Sequence, residues 1–418
     1  MRIEVLCTGD ELLTGLTADT NSPHFMDRLL ALGEQVARST IVGDVREEIR
    51  EALLTLSARA DAVLVSGGLG PTADDLTAEC AAAAAGVPLV ESSEALAALE
   101  ARFAHRGIAL TPNNRRQALV HSGAEVVLNP HGSAPMFVLR LARATLFFVP
   151  GVPREYRAFV DTEVLPRLAR LRSEQPEPGF LALRVLKTIG LPESHLDARV
   201  APLAAAHPAV TFGFRTHAPE NHLKLLARGR TQAEADARLA AAEREARAVL
   251  GDHVFGQDGD RHAAVVGGLL AARRETVAVA ESCTGGRISD LLTSIPGASA
   301  WFPGAAVAYA NAMKEAWVGV RAETLARHGA VSEPVAREMA EGVRAVASAT
   351  WGLSVTGIAG PTGGSEEKPV GTVFIGLAGP SGARVQRHRF LPDREQVRSS
   401  SAGAALELLR LSLLEASR

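Results

Sequence analysis

Short apolar runs rich in β-branched residues alternate along the chain with longer amphipathic stretches. Over residues 1–170 this alternation is typical of a β-α-β sheet with crossover helices. The apolar runs predict strands over Ile3–Cys7, Gln35–Val42, Ala62–Ser66 and Thr145–Val149. The amphipathic stretches predict helices over Pro23–Leu32, Glu47–Ala58, Asp75–Ala85, Glu94–Arg106 and Arg154–Leu171.

Two breaks divide the rest of the chain, at the Pro-rich, acidic segment Ser173–Gly179 and at the Gly- and Asp-rich segment Gly251–Asp260. The middle part predicts strands over Leu181–Thr188, Val210–Phe214 and His222–Arg228, and helices over Ser194–Ala206 and Gln232–Val249. The last part predicts strands over Thr276–Ala280, Ala305–Tyr309, Trp351–Thr356 and Gly371–Leu377, and a closing helix over Arg394–Glu415. We therefore expect three α/β domains, over residues 1–172, 173–255 and 256–418.

Composition and charge argue against several classes of function. The formal net charge is −3, and no basic stripe of the kind that contacts DNA or RNA is present. The three cysteines are far apart and match neither a disulfide framework nor a zinc site, so we expect a cytoplasmic location. No apolar run of about 18 residues predicts a membrane span, and the N-terminus has no signal-peptide pattern.

The segment AESCTGG, residues 280–286, follows a predicted strand and precedes a helix. Such a loop presents hydroxyls and backbone N–H groups to one spot, which suits a nucleophile beside an oxyanion hole. A tight turn whose Ser and Thr cap the helix is the alternative. Tyr309 ends the next predicted strand, Asn311 follows it, and Lys314 lies one turn into the next helix. Adjacent strands of such a sheet end at the same edge. We therefore expect Ser282 and Lys314 to lie close together.

A serine nucleophile needs a base, and a lysine in a dry pocket can lose its proton and serve as one, whereas arginine cannot. Lysine is rare here, with four among 44 basic residues: Lys187, Lys224, Lys314 and Lys368. A solvated helix lysine is the alternative for Lys314. Cys283 is the rival nucleophile, but no histidine lies nearby in sequence to activate it, so we favour Ser282. A second glycine-rich loop, Thr356–Ser365, is expected to form another wall of the site.

Two further motifs lie in the first domain, TGDEL at residues 8–12 and SGGLGPTADD at residues 66–75. Both follow predicted strands, and open α/β sheets bind ligands beyond the carboxyl ends of their strands. The glycines and Thr72 can cradle phosphate oxygens, while Asp74 and Asp75 can hold a divalent cation. Capping of the next helix by Asp74 or Asp75 is the alternative.

These motifs resemble those of the CinA (competence/damage-inducible protein A) family. AESCTGG, WFPGAAVAYANAMK, HGAVSEPVA and VTGIAGPTGGSEEKPVGTV resemble its nicotinamide mononucleotide deamidase domain, over roughly residues 260–415. GDELLTG, SGGLGPTADD, NPHGSAP and VPGVPRE resemble its molybdopterin-binding-like, MoaB/MogA-type domain, over residues 1–170, although Met136 stands where the family usually has glycine. IGLPESHL and the strand pair after it resemble its small KH-type domain, here without a G-x-x-G loop.

The resemblance implies a nicotinamide-nucleotide amidase in the C-terminal domain that needs no cofactor. Ser282 would be the nucleophile, Lys314 its base, and Tyr309 would assist as they convert nicotinamide mononucleotide to nicotinic acid mononucleotide and ammonia. Oxyanion donors are expected among the N–H groups of residues 284–286. The residues expected to contact the substrate are Thr284, Gly285, Gly286, Asn311, Gly357 and Gly360.

For the N-terminal domain, the resemblance implies hydrolysis of ADP-ribose to AMP and ribose 5-phosphate with a divalent ion, Mg, Mn or Co. The expected metal ligands are Asp10, Glu11, Asp74 and Asp75. The expected phosphate and nucleotide contacts are Gly9, Gly67, Gly68, Gly70, Thr72, Asn129, Gly132 and Gly151. The resemblance also implies a homodimer that acts on small nucleotides and contacts neither membrane nor nucleic acid.

Two other functions are weighed against this bifunctional enzyme. One is a non-enzymatic accessory protein of competence or DNA damage with nucleotide-sensing domains, and the lack of basic patches argues against direct DNA contact. The other is a pterin-handling enzyme of molybdenum cofactor assembly, which would rest on fold analogy alone. The amidase-type residues of the C-terminal domain favour the enzyme.

Overall fold

The computed structural model describes residues 1–174 and 179–416, so the predicted break at 173–179 lies mostly outside the described residues. The described chain divides into two compact units, residues 1–182 with 228–236 and residues 183–227 with 237–418. Both contain helices and strands, as the predicted α/β class requires. Within the described ranges, no helix is both long enough and apolar enough to cross a membrane.

The strands of the first unit form a six-stranded mixed sheet and a separate two-stranded one. They are β1 (Ile3–Thr8), β2 (Val36–Val42), β3 (Ala62–Ser66), β4 (Leu89–Glu91), β5 (Leu119–His121), β6 (Glu125–Val127), β7 (Met136–Leu141) and β8 (Ala144–Val149). The large sheet has the order β2-β1-β3-β8-β7-β6, and β4 pairs with β5. Strands β2, β1, β3 and β8 run parallel, whereas β7 pairs antiparallel with β8 and β6 pairs antiparallel with β7.

The helices of this unit join the strands and cover the sheet. They are α1 (Asp10–Leu13), α2 (Asn21–Ala31), α3 (Arg46–Arg59), α4 (Thr77–Ala85), α5 (Ser93–His105), α6 (Pro112–Arg115), α7 (Pro153–Phe159) and α8 (Leu165–Ser173). A 3-10 turn covers Arg116–Ala118, and a π-helical turn at Val160–Val164 interrupts the single helix predicted over Arg154–Leu171.

The central strands of the six-stranded sheet are apolar on both faces. Every residue of β1 and β3 is buried, as expected for parallel strands covered by helices on both sides. Phe148 packs into one core with Leu53, while Phe147 packs into the opposite core with Phe25. The carboxyl ends of β1, β3 and β8 therefore reach the same edge of a rigid sheet.

Downstream of residue 179 the strands form two further sheets. They are β9 (Phe180–Ile189), β10 (Val210–His217), β11 (Glu220–Gly229), β12 (Val254–Gln257), β13 (Val277–Glu281), β14 (Gly304–Val307), β15 (Trp351–Gly357), β16 (Thr372–Gly379) and β17 (Gly382–Arg389). One sheet has the order β10-β11-β9-β12 and the other has the order β14-β13-β15-β16-β17.

The helices of this part flank both sheets. They are α9 (Glu193–Ala206), α10 (Gln232–Leu250), α11 (His262–Arg273), α12 (Arg287–Thr293), α13 (Asn311–Val318), α14 (Ala322–His328), α15 (Glu333–Val346) and α16 (Arg394–Glu415). Short 3-10 turns cover Gly251–His253 and Ala298–Ala300.

The five-stranded sheet brings three loops to one edge. Strands β14, β13 and β15 run parallel, while β16 and β17 continue the sheet antiparallel. Leu406 of α16 and Ile288 of α12 pack in the core on one face, and Met339 of α15 packs in the core on the other. The segments that follow β13, β14 and β15 therefore meet at the carboxyl edge of the sheet.

Candidate functional site

Ser282 directly follows β13 and is held from both sides by backbone. Its N–H donates to the carbonyl of Val355 in β15 at 3.0 Å, and its own carbonyl accepts from Gly285 N at 3.1 Å. Gly285 and Gly286 have φ angles of +61° and +93°, a region that residues with a side chain rarely adopt. The two glycines therefore let the loop turn back over the strand end, which leaves Ser282 8% exposed.

Lys314 lies one turn into α13 and reaches back beneath the end of β14. Its Nζ lies 3.2 Å from Ser282 Oγ. The same nitrogen lies 3.0 Å from the carbonyl oxygen of Ala308 and 2.9 Å from that of Tyr309. Lys314 is 1% exposed, so the sheet edge brings the two predicted residues into direct contact, with the amine buried.

The surroundings of Lys314 favour its neutral form. Its three hydrogen-bond partners are uncharged, and burial lowers the pKa of its amine from the ordinary value of 10.5. A neutral amine has two N–H bonds and one lone pair. The carbonyls of Ala308 and Tyr309 can accept the two N–H bonds, which turns the lone pair towards the hydroxyl of Ser282.

Cys283 does not compete for this role. It is 5% exposed and packs in the apolar core on the α16 side of the sheet. Burial raises the pKa of its thiol to about 12. A thiol that keeps its proton at neutral pH is a poor nucleophile, so the structure favours Ser282.

The expected oxyanion donors need a correction. Gly285 N–H already donates to Ser282, and Gly286 N–H donates to Glu281 Oε2 at 3.0 Å. Neither group can also serve an oxyanion in this arrangement. Thr284 is fully buried beside them, and its hydroxyl has no hydrogen-bond partner among the described residues. The donors that remain in this loop are therefore at Thr284: its backbone N–H, which the sequence predicted, and its buried hydroxyl.

The other predicted substrate contacts surround this pair. Tyr309 lies two residues beyond the end of β14, 57% exposed, and Asn311 is exposed at the start of α13. Gly357 ends β15, and the carbonyl of Gly360 accepts from Arg394 Nη1 at 2.6 Å. Arg394 Nη2 also donates to the Tyr309 hydroxyl at 3.4 Å. Sequence reasoning missed Arg394 because tertiary folding alone brings the start of α16 to this edge.

The N-terminal motifs surround a cavity of about 450 Å³ at the carboxyl edge of the first sheet. The predicted residues that line it are Gly9, Glu11, Gly67, Gly68, Gly70, Asp74, Asp75 and Gly151. The lining also includes charged and amide side chains that were not predicted, those of Asp19, Asn21, Asp44, Gln117 and Glu155. Asp44 follows β2, so the strand-end rule that identified the other loops could also have identified it.

The NPHGSAP segment contributes differently from the prediction. Asn129 and Gly132 do not line the cavity; the Asn129 amide instead bonds to its own loop and to Glu155 of α7. Its Oδ1 accepts from Gly132 N at 2.8 Å, and its Nδ2 donates to Ala134 O and to Glu155 Oε2. Met136 is fully buried in the sheet core. Asn129 therefore orders the loop that presents other residues to the cavity.

Two of the predicted metal ligands accept hydrogen bonds from backbone N–H groups. Thr72, a predicted phosphate contact, does not line the cavity. Asp10 Oδ1 accepts from Asp44 N at 3.1 Å, and Asp10 does not line the cavity. Asp75 accepts from Gly70 N at 2.7 Å and from Thr72 N at 2.8 Å, and the Thr72 hydroxyl donates to it at 2.6 Å. The alternative that Asp74 or Asp75 caps the next helix is also wrong, because no side chain caps the N-terminus of α4.

The predicted set of four carboxylates does not fit a metal centre as it stands. Throughout residues 1–174 and 179–416, no group of three or more His, Cys, Asp or Glu side chains is arranged to hold a metal ion. The cavity is nevertheless strongly acidic. Burial and the nearby charges of Asp10, Glu11 and Asp74 raise the pKa of Asp44.

Three family models match consecutive parts of the chain. The model described as probable molybdopterin binding domain matches residues 4–170. The damage-inducible protein CinA KH domain matches residues 183–256, and the CinA C-terminal domain matches residues 259–413. The α/β domains are therefore a MoaB-like domain, a KH-type domain and a CinA C-terminal domain.

Full-length relatives extend the match over nearly the whole chain. A CinA-like protein of Myxococcus xanthus is 54% identical over 417 residues, covering 100% of this chain and 99% of that protein. A CinA-like protein of Synechococcus elongatus is 43% identical, covering 98% of this chain and 97% of that protein. The crystal structure of the competence/damage inducible protein CihA of Agrobacterium tumefaciens is 38% identical, with a TM-score of 0.36, and covers 37% of this chain and 93% of that one.

Proposed function

Because the chain belongs to the CinA family, we propose that it is a bifunctional hydrolase of pyridine-nucleotide recycling whose C-terminal domain deamidates nicotinamide mononucleotide. The observation that carries this proposal is the contact of 3.2 Å between Lys314 Nζ and Ser282 Oγ. A buried hydroxyl beside an amine of lowered pKa is the pair that acyl transfer at a carboxamide requires. We propose that this domain needs no cofactor.

The proposed reaction runs through an acyl-enzyme. Neutral Lys314 takes the proton of Ser282 as Oγ attacks the carboxamide carbon, and the Thr284 hydroxyl donates to the developing oxyanion. The lysine then gives its proton to the departing ammonia. Water attacks the ester on Ser282 as Lys314 takes a proton from it; the lysine then returns this proton to Ser282 Oγ, and nicotinic acid mononucleotide leaves.

The exposed groups around this pair are proposed to bind the substrate. Tyr309 and Asn311 flank the entrance on the α13 side, and the loop containing Gly357 and Gly360 flanks it on the β15 side. Tyr309 supports Lys314 through its backbone carbonyl, so we assign its phenol a binding role.

A carboxamide series tests the proposed function. Purified protein is incubated with nicotinamide mononucleotide, nicotinamide riboside and nicotinamide, and both ammonia and the free acid are quantified. The proposal predicts equal amounts of ammonia and nicotinic acid mononucleotide from the first compound and much slower release from the other two. Absence of both products from nicotinamide mononucleotide would refute the assignment.

For the N-terminal domain, we propose hydrolysis of ADP-ribose to AMP and ribose 5-phosphate. The supporting observation is the cavity of about 450 Å³ lined by the glycine loops that follow β1, β3 and β8, where such sheets bind nucleotides. A divalent ion, Mg, Mn or Co, remains part of this proposal, and no step is assigned to it because the carboxylates do not form a centre. Incubation with ADP-ribose, followed by chromatography for AMP, tests the proposal.

The proposal also covers where the protein acts and how it assembles. We propose a cytoplasmic homodimer that acts on small nucleotides, and sedimentation equilibrium of the purified chain tests the dimer. A competence or DNA-damage accessory protein would bind nucleotides without turning over either substrate. A pterin-handling protein would bind a pterin in the N-terminal cavity in preference to ADP-ribose.

A further inference from the structure

Glu281 is a buried carboxylate that the proposed mechanism does not use. It is the last residue of β13, directly before Ser282, and is 0% exposed. Its Oε2 accepts from Gly286 N at 3.0 Å and from Ile288 N at 3.1 Å. Its Oε1 accepts from Ser289 N at 2.9 Å and from Ser289 Oγ at 2.6 Å. One carboxylate therefore joins the strand end to the first turn of α12.

The donors around Glu281 specify a carboxylate. Each of its two oxygens accepts from two donors. Three of the four donors are backbone N–H groups, which cannot act as acceptors. A glutamine has nearly the same shape but presents an NH₂ group on one side. That NH₂ group would face either Gly286 and Ile288 or Ser289, so the amide cannot reproduce the arrangement.

These bonds fix the loop that contains Ser282. Glu281 holds Gly286 at one end of the loop, and the preceding residue, Gly285, donates to the carbonyl of Ser282. The same loop keeps Ser282 Oγ within 3.2 Å of Lys314. A shift of about 1 Å in such a pair can cost about 100-fold in rate.

We propose that Glu281 is a positioning residue that holds the loop from residue 282 to residue 286 so that Ser282 faces Lys314. The inference rests on the proposed nucleophilic role of Ser282. It also explains why the start of α12 does not supply the oxyanion donors: the carboxylate already occupies its N–H groups.

The test compares Glu281→Gln with Glu275→Gln. Glu275 is a matched control because it lies just before the opposite end of β13 and accepts from Trp351 Nε1 at 2.7 Å. Two readouts are taken on folded protein: kcat and KM for nicotinamide mononucleotide, and the rate at which a fluorophosphonate labels Ser282, followed by intact mass. Thermal unfolding of each variant gives the folded fraction.

The proposal predicts that Glu281→Gln lowers both kcat and the labelling rate by about 100-fold while KM changes less than about threefold. Glu275→Gln is expected to lower Tm and leave both rates at the wild-type level. A folded Glu281→Gln protein with wild-type kcat and labelling would overturn the proposal. If Glu281→Gln does not fold, Glu281→Asp decides: reduced rates support positioning, and wild-type rates overturn it.

The labelling readout separates this inference from the proposed substrate. Wild-type protein that is labelled at Ser282 but releases no ammonia would refute the amidase assignment, and Glu281 would then be judged on labelling alone. Wild-type protein that is not labelled at Ser282 would overturn both the nucleophile and the positioning role.

Discussion

The two sites lie at the same kind of place, the carboxyl edge of a parallel sheet, yet their polar groups behave differently. At the C-terminal site the amine and hydroxyl contact each other in a closed space. At the N-terminal cavity two of the four predicted carboxylates bond to backbone N–H groups: Asp75 within its own loop, and Asp10 to Asp44 in the loop after β2. Strand-end motifs in the sequence therefore led to one assembled amine–hydroxyl pair and one ordered cavity.

Charge accounts for much of this difference. A neutral lysine and a serine can be buried together because neither needs a counterion. Carboxylates that lie close together repel one another, and burial together with the neighbouring negative charges raises the pKa of Asp44. Backbone N–H groups offer such carboxylates a partner within the protein itself, which is what Asp10 and Asp75 use.

The largest expected effect concerns the assembled pair. Ser282→Ala removes the nucleophile and should lower kcat for nicotinamide mononucleotide by about 1000-fold or more. Lys314→Arg should be as damaging, because arginine keeps its proton. Cys283→Ala is the matched control and should retain most of the activity. Ammonia release measures all three, and a Cys283→Ala protein that is inactive while Ser282→Ala is active would reverse the assignment.

The next effect concerns a metal ion at the acidic cavity. If a divalent ion completes this site, EDTA should lower AMP formation from ADP-ribose by about 100-fold, and added Mg, Mn or Co should restore it. The amidase activity of the same sample serves as the internal control and should not change. AMP formation that persists in EDTA would show that the two sites are alike in needing no metal.

A smaller effect separates a structural carboxylate from a ligand. Asp75→Asn should destabilise the first unit by about 1–3 kcal/mol, because the loop donors of Gly70 and Thr72 lose an acceptor. Asp74→Asn, an exposed neighbour, should unfold at the same denaturant concentration as wild type. Equal stability of both variants would contradict the structural role of Asp75.

The smallest effect concerns the phenol of Tyr309. Tyr309→Phe keeps the backbone carbonyl that accepts from Lys314 and loses a hydroxyl whose contact with Arg394 is 3.4 Å long. We expect kcat/KM to fall less than about tenfold, or about 1.4 kcal/mol. A loss as large as that of Ser282→Ala would give the phenol a direct part in the chemistry.

The sequence predicted those features that follow from local pattern. Apolar runs identified β1, β3 and β15, and the strand-end rule brought Ser282 to Lys314. The sequence did not identify β17, because most residues of this strand are exposed and it therefore lacks the apolar run that marks the buried strands. It could not show that Asp75 bonds to Gly70, nor that Arg394 reaches Tyr309, because loop geometry and tertiary approach set both contacts.

The central claim is that Lys314 acts as a neutral base, and its proton can be followed directly. With four lysines in the chain, NMR of protein labelled with ¹³C at lysine Cε should resolve Lys314, and Lys314→Arg assigns its signal. The account predicts that this signal titrates below 10.5, and that kcat/KM rises with pH through the same midpoint as the amine loses its proton. A Lys314 that stays protonated up to 10.5, in an enzyme already active at neutral pH, would contradict it.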